Sequence, residues 1–595
     1  MAAFATAQDG AALYKQNCAM CHDGGMDRAP SRDSLKAMSA DRVLAAMETG
    51  PMISMASRRT AVERRVIAEF VSGKTLTGTV ETKPLPQAMC TSAGAGDLSQ
   101  GPAWIGWGAN PSNTRFQDAA NAGLTAADVP RLKVKWAFGF PGDQSANAHP
   151  TVAGGRVFVG SAGGTVYSLS AATGCIYWYF EAGSTVRDAI QIHHTGNSYI
   201  AYFGDARANM YAVNALSGKL LWKTKVDDFP SAGITSSPQV YNGRLYFGVK
   251  SGEEAAGADP NYECCRFRGS VVALDAGTGK QVWKTYTIDE PKRTKKNAKG
   301  VQMWGPSGAP IWSTPVIDPR RNAIYATTGD NYSEPPTRTS DAFMALDLDT
   351  GKVLWTRQMT ADDAYTAACR LPDKTNCPIN GPDFDFGASP ILVTLPNGKR
   401  ELLAGQKSGI VHAIDPDQQG EVIWQVRVAK GGTMGGVQWG SAVDQQNIYV
   451  AVSDIKRVML TFSTLTDADP NQGGGMYALR LATGEKVWYT PPFSCGERKR
   501  CSPAQSAAVT AIPGVAFSGA VDGHLRAYSM TDGKVIWDFD TVGDYKAVNG
   551  VEARGGSIDG PGPAVAGGML FANSGYVSAG GMPGNVLLAF SVDGK

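Results

Sequence analysis

The chain has 595 residues, which is too long for one ordinary core and predicts two or more domains. Its 56 Lys and Arg nearly balance 54 Asp and Glu, so the net charge of +2 argues against a nucleic-acid or other polyanionic partner. We expect no membrane span, because no apolar run approaches the roughly 18 residues that a spanning helix needs.

A haem attachment motif lies near the start of the chain, where residues 18–22 read Cys-Ala-Met-Cys-His. Two thiols with this spacing add to the vinyl groups of a porphyrin, and the following His supplies an imidazole to the iron. A zinc site is disfavoured, since no second CxxC or HxxxH follows. Cys18, Cys21 and His22 therefore predict a covalent haem c and a role in electron transfer.

The residues around this motif predict a small all-α cytochrome c domain. Apolar residues recur with helical spacing over residues 9–16, 39–47 and 60–71. The sixth iron ligand should be a thioether on the loop between the last two helices. Met52, which follows Gly50-Pro51, is the first choice, and Met55 is the alternative.

The cysteines and the first residues indicate an oxidising compartment. Residues 1–8 resemble the small-residue end of a cut secretion signal that carries an added Met. Haem attachment to CxxCH, like disulfide formation, normally takes place outside the cytoplasm. Three of the expected disulfides join near neighbours and the fourth takes the remaining two cysteines: Cys264 with Cys265, Cys369 with Cys377, Cys495 with Cys501, and Cys90 with Cys175. We therefore expect a periplasmic protein.

A second, longer domain is predicted by a repeat. Residues 1–75 are assigned to the cytochrome domain, the Gly-, Pro-, Ser- and Thr-rich residues 76–105 to a linker, and residues 106–595 to the repeats. Each repeat is an alternating apolar strand, a tight turn with Gly or small polar residues, and a strand that ends in Trp. Seven copies end at Trp178, Trp222, Trp283, Trp355, Trp424, Trp488 and Trp537.

An eighth repeat is divided between the two ends of the second domain. The terminal LLAFSVDGK stops where its Trp strand should follow, and residues 132–136, which end in Trp136, can supply that strand. Closing the ring in this way removes free sheet edges. The pattern predicts an all-β, eight-bladed propeller whose Trp residues pack between blades.

A propeller of this kind joined to a CxxCH domain resembles the quinoprotein alcohol dehydrogenases, which use pyrroloquinoline quinone (PQQ). The order, haem domain first, is most similar to the cytochrome-type polyvinyl alcohol dehydrogenases, and the resemblance covers nearly the whole chain. It implies that the flat indole of Trp312 lies under the quinone. It also implies a Ca²⁺ ion, a hard cation that prefers oxygen ligands.

The metal ligands implied by the resemblance are acidic or amide side chains. Asp330 stands where the family has a metal-binding Asn, and Asn331 is adjacent. The segment Ser-Gly-Glu-Glu matches a family Ser-Gly-x-Glu, which makes Glu254 the expected ligand and Glu253 the alternative. The family base is an Asp beyond the metal ligand. Asp341 is the expected equivalent, with Asp330 as the alternative.

The remaining matches are expected to contact the quinone, among them Lys407, a cation that reaches its reactive carbonyl. The others are Arg187, Thr235, Ser251, Gln438 and Trp439. The adjacent Cys264 and Cys265 depart from the family in position. Their disulfide is expected to be either a lid over the quinone or a simple staple of its loop.

The implied activity is oxidation of secondary alcohol groups, as in polyvinyl alcohol, to ketones by hydride transfer to PQQ. Electrons would then pass through the haem to an external cytochrome c. One alternative is a dehydrogenase for small alcohols or sugars. The other is a propeller scaffold with a haem tether, which would bind no quinone.

Overall fold

A computed structural model describes residues 9–23, 30–48, 52–56, 59–76, 84–94, 96–196, 198–371, 373–458, 467–577 and 580–595. The predicted signal remnant, residues 1–8, lies outside these ranges. The first part of the described chain is helical, and its helices are Gly10–Asn17, Ala19–His22, Arg32–Ala37, Ala40–Glu48, Ile53–Ala56 and Ala61–Ser72. Three of these correspond to the predicted helices, and the other three, Ala19–His22, Arg32–Ala37 and Ile53–Ala56, were not predicted.

The first and last of these helices cross in close contact. A Cβ atom on Gly10 would lie 2.8 Å from the Cβ of Phe70 and from the carbonyl oxygen of Val66, so only glycine allows this approach. The last helix begins with a capping box, in which Thr60 and Glu63 each accept a hydrogen bond from the other's backbone N–H. A buried core that includes Leu13, Val43, Leu44 and Ile67 joins the helices.

The rest of the described chain forms eight sheets arranged as propeller blades. The first blade contains Thr151–Ala153, Arg156–Val159, Thr165–Ser170 and Ile176–Glu181, and the second contains Gln191–Thr195, Ser198–Gly204, Asn209–Asn214 and Leu220–Lys225. The third contains Gln239–Tyr241, Arg244–Ser251, Ser270–Asp275 and Gln281–Tyr286, with Ala232–Gly233 also paired to it. The fourth contains Val316–Asp318, Ala323–Thr327, Ala342–Asp347 and Val353–Gln358.

The last four blades have the same order, with consecutive strands paired antiparallel in the first three of them. The fifth blade contains Ile391–Thr394, Arg400–Gly405, Ile410–Asp415 and Glu421–Arg427, and the sixth contains Ala442–Val443, Asn447–Ala451, Met476–Arg480 and Lys486–Thr490. The seventh contains Thr510–Ile512, Val515–Gly519, His524–Ser529 and Val535–Asp540. The eighth contains Ala564–Ala566, Met569–Ser574, Val586–Val592 and Leu132–Gly139.

The eighth blade confirms the predicted closure of the ring. Leu132–Gly139 pairs antiparallel with Val586–Val592 as the outermost strand of that sheet. The first strands of neighbouring blades contact each other around the axis from the first blade to the fifth and from the sixth to the eighth, and the first strand of the eighth blade also contacts that of the first. Both ends of the propeller thus contribute to one sheet, which leaves no gap in the ring.

Indole side chains connect neighbouring blades. Each of seven Trp side chains donates its Nε1–H to a backbone carbonyl of the next blade: Trp136 to Ala171, Trp178 to Ala215, Trp222 to Ala276, Trp283 to Leu348, Trp424 to Leu481, Trp488 to Met530 and Trp537 to Leu132. The glycine turn of the next blade packs on the indole. At Gly218, which has a φ of 70°, a Cβ atom would lie 2.7 Å from the Trp178 ring. The repeated Trp and Gly therefore form one interblade contact.

All four predicted disulfides are present, and Cys90–Cys175 ties the linker to the first blade. No helix in the described ranges is long and apolar enough to cross a membrane. The short helices outside the cytochrome domain are Pro86–Ala88, Ala119–Ala122, Val129–Arg131, Glu253–Ala256, Ala367–Arg370 and Pro416–Gln418. Small two-stranded sheets pair Lys292–Lys296 with Gln302–Gly305, Ser307–Gly308 with Asn331–Ser333, Arg457–Val458 with Asp467–Ala468, and Gly543–Lys546 with Glu552–Gly555.

Candidate quinone site and haem centre

Four of the residues expected to bind the quinone line one cavity on the propeller axis. They are Arg187, Thr235, Trp312 and Trp439. Each precedes the first strand of its own blade by a few residues. Because the first strands surround the axis, the segments that lead into them converge there. The propeller therefore assembles the cavity from residues that are far apart in sequence.

The cavity combines flat aromatic surfaces with a cation. The ring centres of Trp312 and Trp439 are 5.3 Å apart with an edge-to-face angle of 83°, and the Arg187 guanidinium carbon lies 4.1 Å from the Trp439 ring centre. Thr235 Oγ1 donates to the Trp312 carbonyl over 3.2 Å. A Cβ atom on Gly387 would lie 2.4 Å from the Trp312 ring, so glycine leaves the indole in place.

Buried oxygen atoms in the cavity wall also suit a bound group. Asn147 Oδ1 and Asp188 Oδ1 are buried without a hydrogen-bond partner among the described residues. Buried polar atoms normally have partners. A planar molecule with carboxylates and carbonyls, such as PQQ, fits a cavity that offers an indole surface, the Arg187 cation and the Thr235 hydroxyl.

An acidic cluster lies beside this cavity. One carboxylate oxygen from each of Asp330, Asp383 and Asp385 falls within 4.8 Å of the other two, and all three side chains are buried. Asp383 and Asp385 were not predicted from the sequence. A usable signal was their position in Pro-Asp-Phe-Asp-Phe, directly before the first strand of the fifth blade, because other cavity residues occupy equivalent positions.

Lys407 joins the cluster to the cavity. Its Nζ donates to Asp383 Oδ1 over 2.8 Å and to Asp385 Oδ2 over 2.7 Å, and it lies 5.5 Å from the Trp312 ring centre. Burial alone would lower the pKa of Lys407, but the carboxylates of Asp383 and Asp385 outweigh burial and raise that pKa well above its ordinary value. Lys407 is therefore a charged donor between the acidic cluster and Trp312.

Asp330 has the properties of an incomplete cation site. Its two carboxylate oxygens are fully buried and accept no hydrogen bond from the described residues. Burial, followed by the negative charge of Asp385, raises the pKa of Asp330 well above its ordinary value. Burying a carboxylate without a partner is costly, and a hard cation bound between these oxygens would offset that cost. The donor set therefore fits a Ca²⁺-like ion.

The neighbouring Asn331 is engaged elsewhere. Its Oδ1 accepts from the backbone N–H of Thr337 over 2.7 Å, and its Nδ2 donates to the Ser307 carbonyl over 3.2 Å. These bonds hold the short strand Asn331–Ser333 to its partner Ser307–Gly308 and to the loop that follows it. Of the adjacent pair, Asp330 is therefore the better-placed ligand.

Glu253 and Glu254 have different environments. Glu253 is fully buried, and its carboxylate accepts hydrogen bonds from the backbone N–H groups of Arg266 and Phe267 and from the Tyr262 hydroxyl. Its lone pairs are thus used to hold this loop. Glu254 instead acts electrostatically on the acidic cluster, because its charge contributes to raising the pKa values of Asp330 and Asp383. This contrast supports Glu254 as the metal ligand.

Asp341, the predicted base, is fully buried beside the cluster. Neither of its carboxylate oxygens has a hydrogen-bond partner in the described part of the chain, and its φ is 50°. Burial, followed by the charge of Asp363, raises the pKa of Asp341 well above its ordinary value. The raised pKa shows that the site already disfavours the charged form of this carboxylate.

Three other predicted positions make local contacts. Ser251 Oγ accepts from the Glu253 N–H over 3.2 Å, and Gln438 Nε2 donates to the Gly435 carbonyl. The Cys264–Cys265 disulfide is buried in the core of the third blade with Phe267 and Tyr332. Its backbone also pairs with Trp304, so these contacts favour a loop staple.

The haem motif has the surroundings that a c-type haem needs. Cys18 and Cys21 are outside the disulfides, as thiols that bind a porphyrin must be. His22 Nδ1 lies 2.8 Å from the Pro30 carbonyl oxygen, which leaves its other ring nitrogen for the iron. Met52 packs against the same core as Cys18, whereas Met55 is 56% exposed.

Comparison with known proteins agrees with both domains. Residues 104–430 match the family described as glucose/ethanol/alcohol dehydrogenase, beta-propeller domain, which is the PQQ family. Residues 5–71 match cytochrome C oxidase, cbb3-type, subunit III, and residues 407–550 match outer membrane protein assembly factor BamB. The polyvinylalcohol dehydrogenase of Pseudomonas sp is 45% identical over 99% of this chain and 94% of its own length. The chain belongs to the polyvinyl alcohol dehydrogenases of the PQQ-dependent alcohol dehydrogenase family.

Further comparisons extend this relation. The polyvinylalcohol dehydrogenase of Sphingopyxis sp. (strain 113P3) is 42% identical over 99% of this chain and 93% of its own length. Among solved structures, the quinohemoprotein alcohol dehydrogenase from Comamonas testosteroni has a TM-score of 0.58 at 18% identity, covering 83% of this chain and 81% of that one. The chain is thus a PQQ-dependent alcohol dehydrogenase with a cytochrome c domain.

The two adjacent glutamates give a matched test of the metal site. We expect Glu254→Gln to lower the affinity for Ca²⁺ at least about tenfold, because one ligand charge is lost. Glu253→Gln should leave that affinity near wild type but cost about 1–3 kcal/mol of stability, since buried N–H groups lose an acceptor. Ca²⁺ titration of the metal-free protein, with thermal unfolding of each variant, measures both effects. The opposite result, with a lower Ca²⁺ affinity in Glu253→Gln and a near wild-type affinity in Glu254→Gln, would make Glu253 the ligand.

The two methionines test the sixth haem ligand. A Met ligand raises the reduction potential of a His-ligated haem, so Met52→Ala should lower that potential and open the iron to carbon monoxide. Met55→Ala should change neither property. Redox titration and carbon monoxide difference spectra of the haem-loaded protein measure these effects. An altered potential in Met55→Ala alone would assign the ligand to Met55.

Proposed function

We propose that this protein oxidises the secondary alcohol groups of polyvinyl alcohol to ketones in the periplasm. Electrons leave through the covalent haem c to an external cytochrome c. The observation that carries this proposal is the position of Lys407, which contacts the acidic cluster and lies 5.5 Å from the Trp312 ring centre. The full-length relatives named polyvinylalcohol dehydrogenase support the substrate.

The residues of the site have separate tasks. Trp312 and Trp439 provide the surfaces against which a planar cofactor packs, and Arg187 and Thr235 meet its polar edge. Asp330, Asp383, Asp385 and Glu254 would hold Ca²⁺ or another hard cation. PQQ, when bound, supplies a quinone that accepts a hydride from the carbinol carbon. Lys407 would supply a positive charge that stabilises the negative charge developing on the cofactor during hydride transfer.

A carboxylate must take the proton of the alcohol hydroxyl. Asp341 is the base predicted from the sequence, and its two oxygens accept no hydrogen bond from the described residues. The structure adds Asp383 as a second candidate. Asp383 contacts both Lys407 and Arg370, and Arg370 is 41% exposed at its side chain, so one residue connects the cluster to solvent. A polymeric substrate needs such a short path.

The periplasm and the external acceptor rest on the redox chemistry of the chain. The four disulfides form and persist in an oxidising compartment such as the periplasm, and haem attachment to a CxxCH motif also normally takes place outside the cytoplasm. The thioether-linked haem gives the electrons a covalently held exit. A soluble cytochrome c is a partner suited to one-electron transfer from such a haem.

The alternative function, a propeller scaffold that binds no quinone, does not account for the residues of the site. The match to assembly factor BamB covers residues 407–550, whereas Arg187, Thr235 and Trp312 lie in the region matched by the dehydrogenase family. A scaffold would have no use for buried carboxylates without partners around a cationic donor. The unsatisfied oxygens of Asp330 and Asp341 therefore favour the enzyme.

Reconstitution tests the activity. Purified protein that receives PQQ and Ca²⁺ should reduce an artificial dye with polyvinyl alcohol and with short secondary alcohols, and more slowly with ethanol. The same protein without PQQ is the control. Dye reduction with ethanol alone would assign the chain to small alcohols, and no reduction with any alcohol would establish the scaffold.

Asparagine variants test the base. Asp341→Asn should lower kcat about 10²- to 10⁴-fold while the affinity for Ca²⁺ stays near wild type, because only proton transfer is lost. Asp383→Asn should lower both, since Asp383 belongs to the cation cluster. Steady-state dye reduction and Ca²⁺ titration of each variant separate the two. Wild-type kcat in Asp341→Asn would exclude Asp341 and leave Asp330 or Asp383 as the base.

A further inference from the structure

Hydrogen bonds from Arg207, Gln144 and Arg64 join the cytochrome domain to the propeller. Arg207 Nη2 donates to Glu63 Oε1 over 2.7 Å, and Gln144 Nε2 donates to the Glu48 carbonyl over 2.7 Å. Arg64 Nη2 also donates to the Gly142 carbonyl. Glu48, Glu63 and Arg64 belong to two helices of the cytochrome domain. None of these residues takes part in the quinone site described above.

Two of these side chains are buried although they are charged. Glu63 is 3% exposed and Arg64 is 1% exposed. Arg64 is paired with Glu48 over 3.3 Å and also donates to the Arg59 carbonyl. Buried charges are tolerated only with full partners, so the contact has one specified geometry.

The carboxylate of Glu63 serves both the helix and the contact. Its Oε2 accepts from the Thr60 N–H over 3.0 Å and completes the capping box, while its Oε1 accepts from Arg207. The helix therefore fixes the carboxylate in the orientation that Arg207 meets. Little side-chain entropy remains to be lost when the domains dock.

Both contact points on the propeller adjoin the central cavity. Gln144 is three residues before Asn147, which lines the cavity. Arg207 follows Ala206, whose N–H donates to the Thr185 carbonyl over 2.9 Å, and Thr185 is two residues before the cavity residue Arg187. The cytochrome domain thus rests on the two segments that form one side of the cavity rim.

We propose that the Glu63–Arg207 ion pair, supported by Gln144 and Glu48, is the docking contact that positions the haem for electron transfer from this cavity. Arg207 is a positioning residue, since it reaches neither cavity nor haem motif in the contacts above. The inference rests on the proposed function. The alcohol loses two electrons and two protons in each turnover, and the protons go to solvent. The haem iron takes the electrons one at a time, as it is reduced from ferric to ferrous. Each electron then passes to the external cytochrome c.

The experiment separates alcohol oxidation from haem reduction in the full-length holoenzyme. Stopped-flow absorbance follows haem reduction after anaerobic mixing with a secondary alcohol, and a dye that accepts electrons directly from the quinone measures the first step. Arg207→Ala should slow haem reduction about twofold to fivefold, the range expected for a partly exposed ion pair, and Arg207→Glu should slow it further. Arg207→Lys should recover most of the rate. Dye-coupled kcat and KM should not change.

Arg244→Ala is the matched control, because Arg244 forms a similar ion pair with Asp349 over 3.1 Å between the third and fourth blades. High salt should slow haem reduction in the wild type toward the Arg207→Ala rate and change the variant little. Unaltered or faster haem reduction in Arg207→Glu would overturn the proposal. A wild-type haem that stays oxidised during dye-coupled turnover would instead overturn the proposed haem route itself.

Discussion

The arrangement of the quinone site depends on one buried cation, Lys407, held between Asp383 and Asp385. A lysine in this position would normally lose its proton on burial, and the two carboxylates reverse that tendency. Burial and the neighbouring carboxylates raise the pKa values of Asp330 and Asp341, and one lysine does not offset this effect. A hard cation bound between these oxygens would offset the excess of carboxylates, and metal binding would then be linked to the charge state of Lys407.

The propeller explains how such a cluster can exist in a stable protein. Its stability comes from repeated interblade contacts, in which an indole N–H reaches a carbonyl of the next blade and a glycine turn packs on the ring. These contacts lie away from the axis and recur in most blades. The axial segments are therefore free to carry buried charges and oxygens without partners. In this fold, interblade contacts outside the site offset the unfavourable free energy of burying the polar and charged groups of the site.

The sequence predicted the parts that local patterns determine. The Trp and Gly repeats located the blades and the divided eighth blade, and helical spacing located three helices of the cytochrome domain. Three disulfides were predicted because their cysteines are near neighbours in the sequence, and the fourth was predicted from the two cysteines that remained. Asp383 and Asp385 were missed because their significance depends on converging segments, not on a local motif. The choice between Glu253 and Glu254 likewise depends on the backbone N–H groups of Arg266 and Phe267, which sequence spacing cannot place.

A local signal also has a long-range consequence at Glu63. Thr60 and Glu63 have the spacing of a capping box, which by itself concerns only the start of one helix. The cap uses one carboxylate oxygen and leaves the second for Arg207 of the propeller. Formation of the last cytochrome helix therefore prepares the surface that docks on the propeller. Gln144 lies three residues before the cavity residue Asn147, and Ala206, next to Arg207, donates a hydrogen bond to Thr185 near the cavity residue Arg187, so the surface that meets the last cytochrome helix lies close to the cavity.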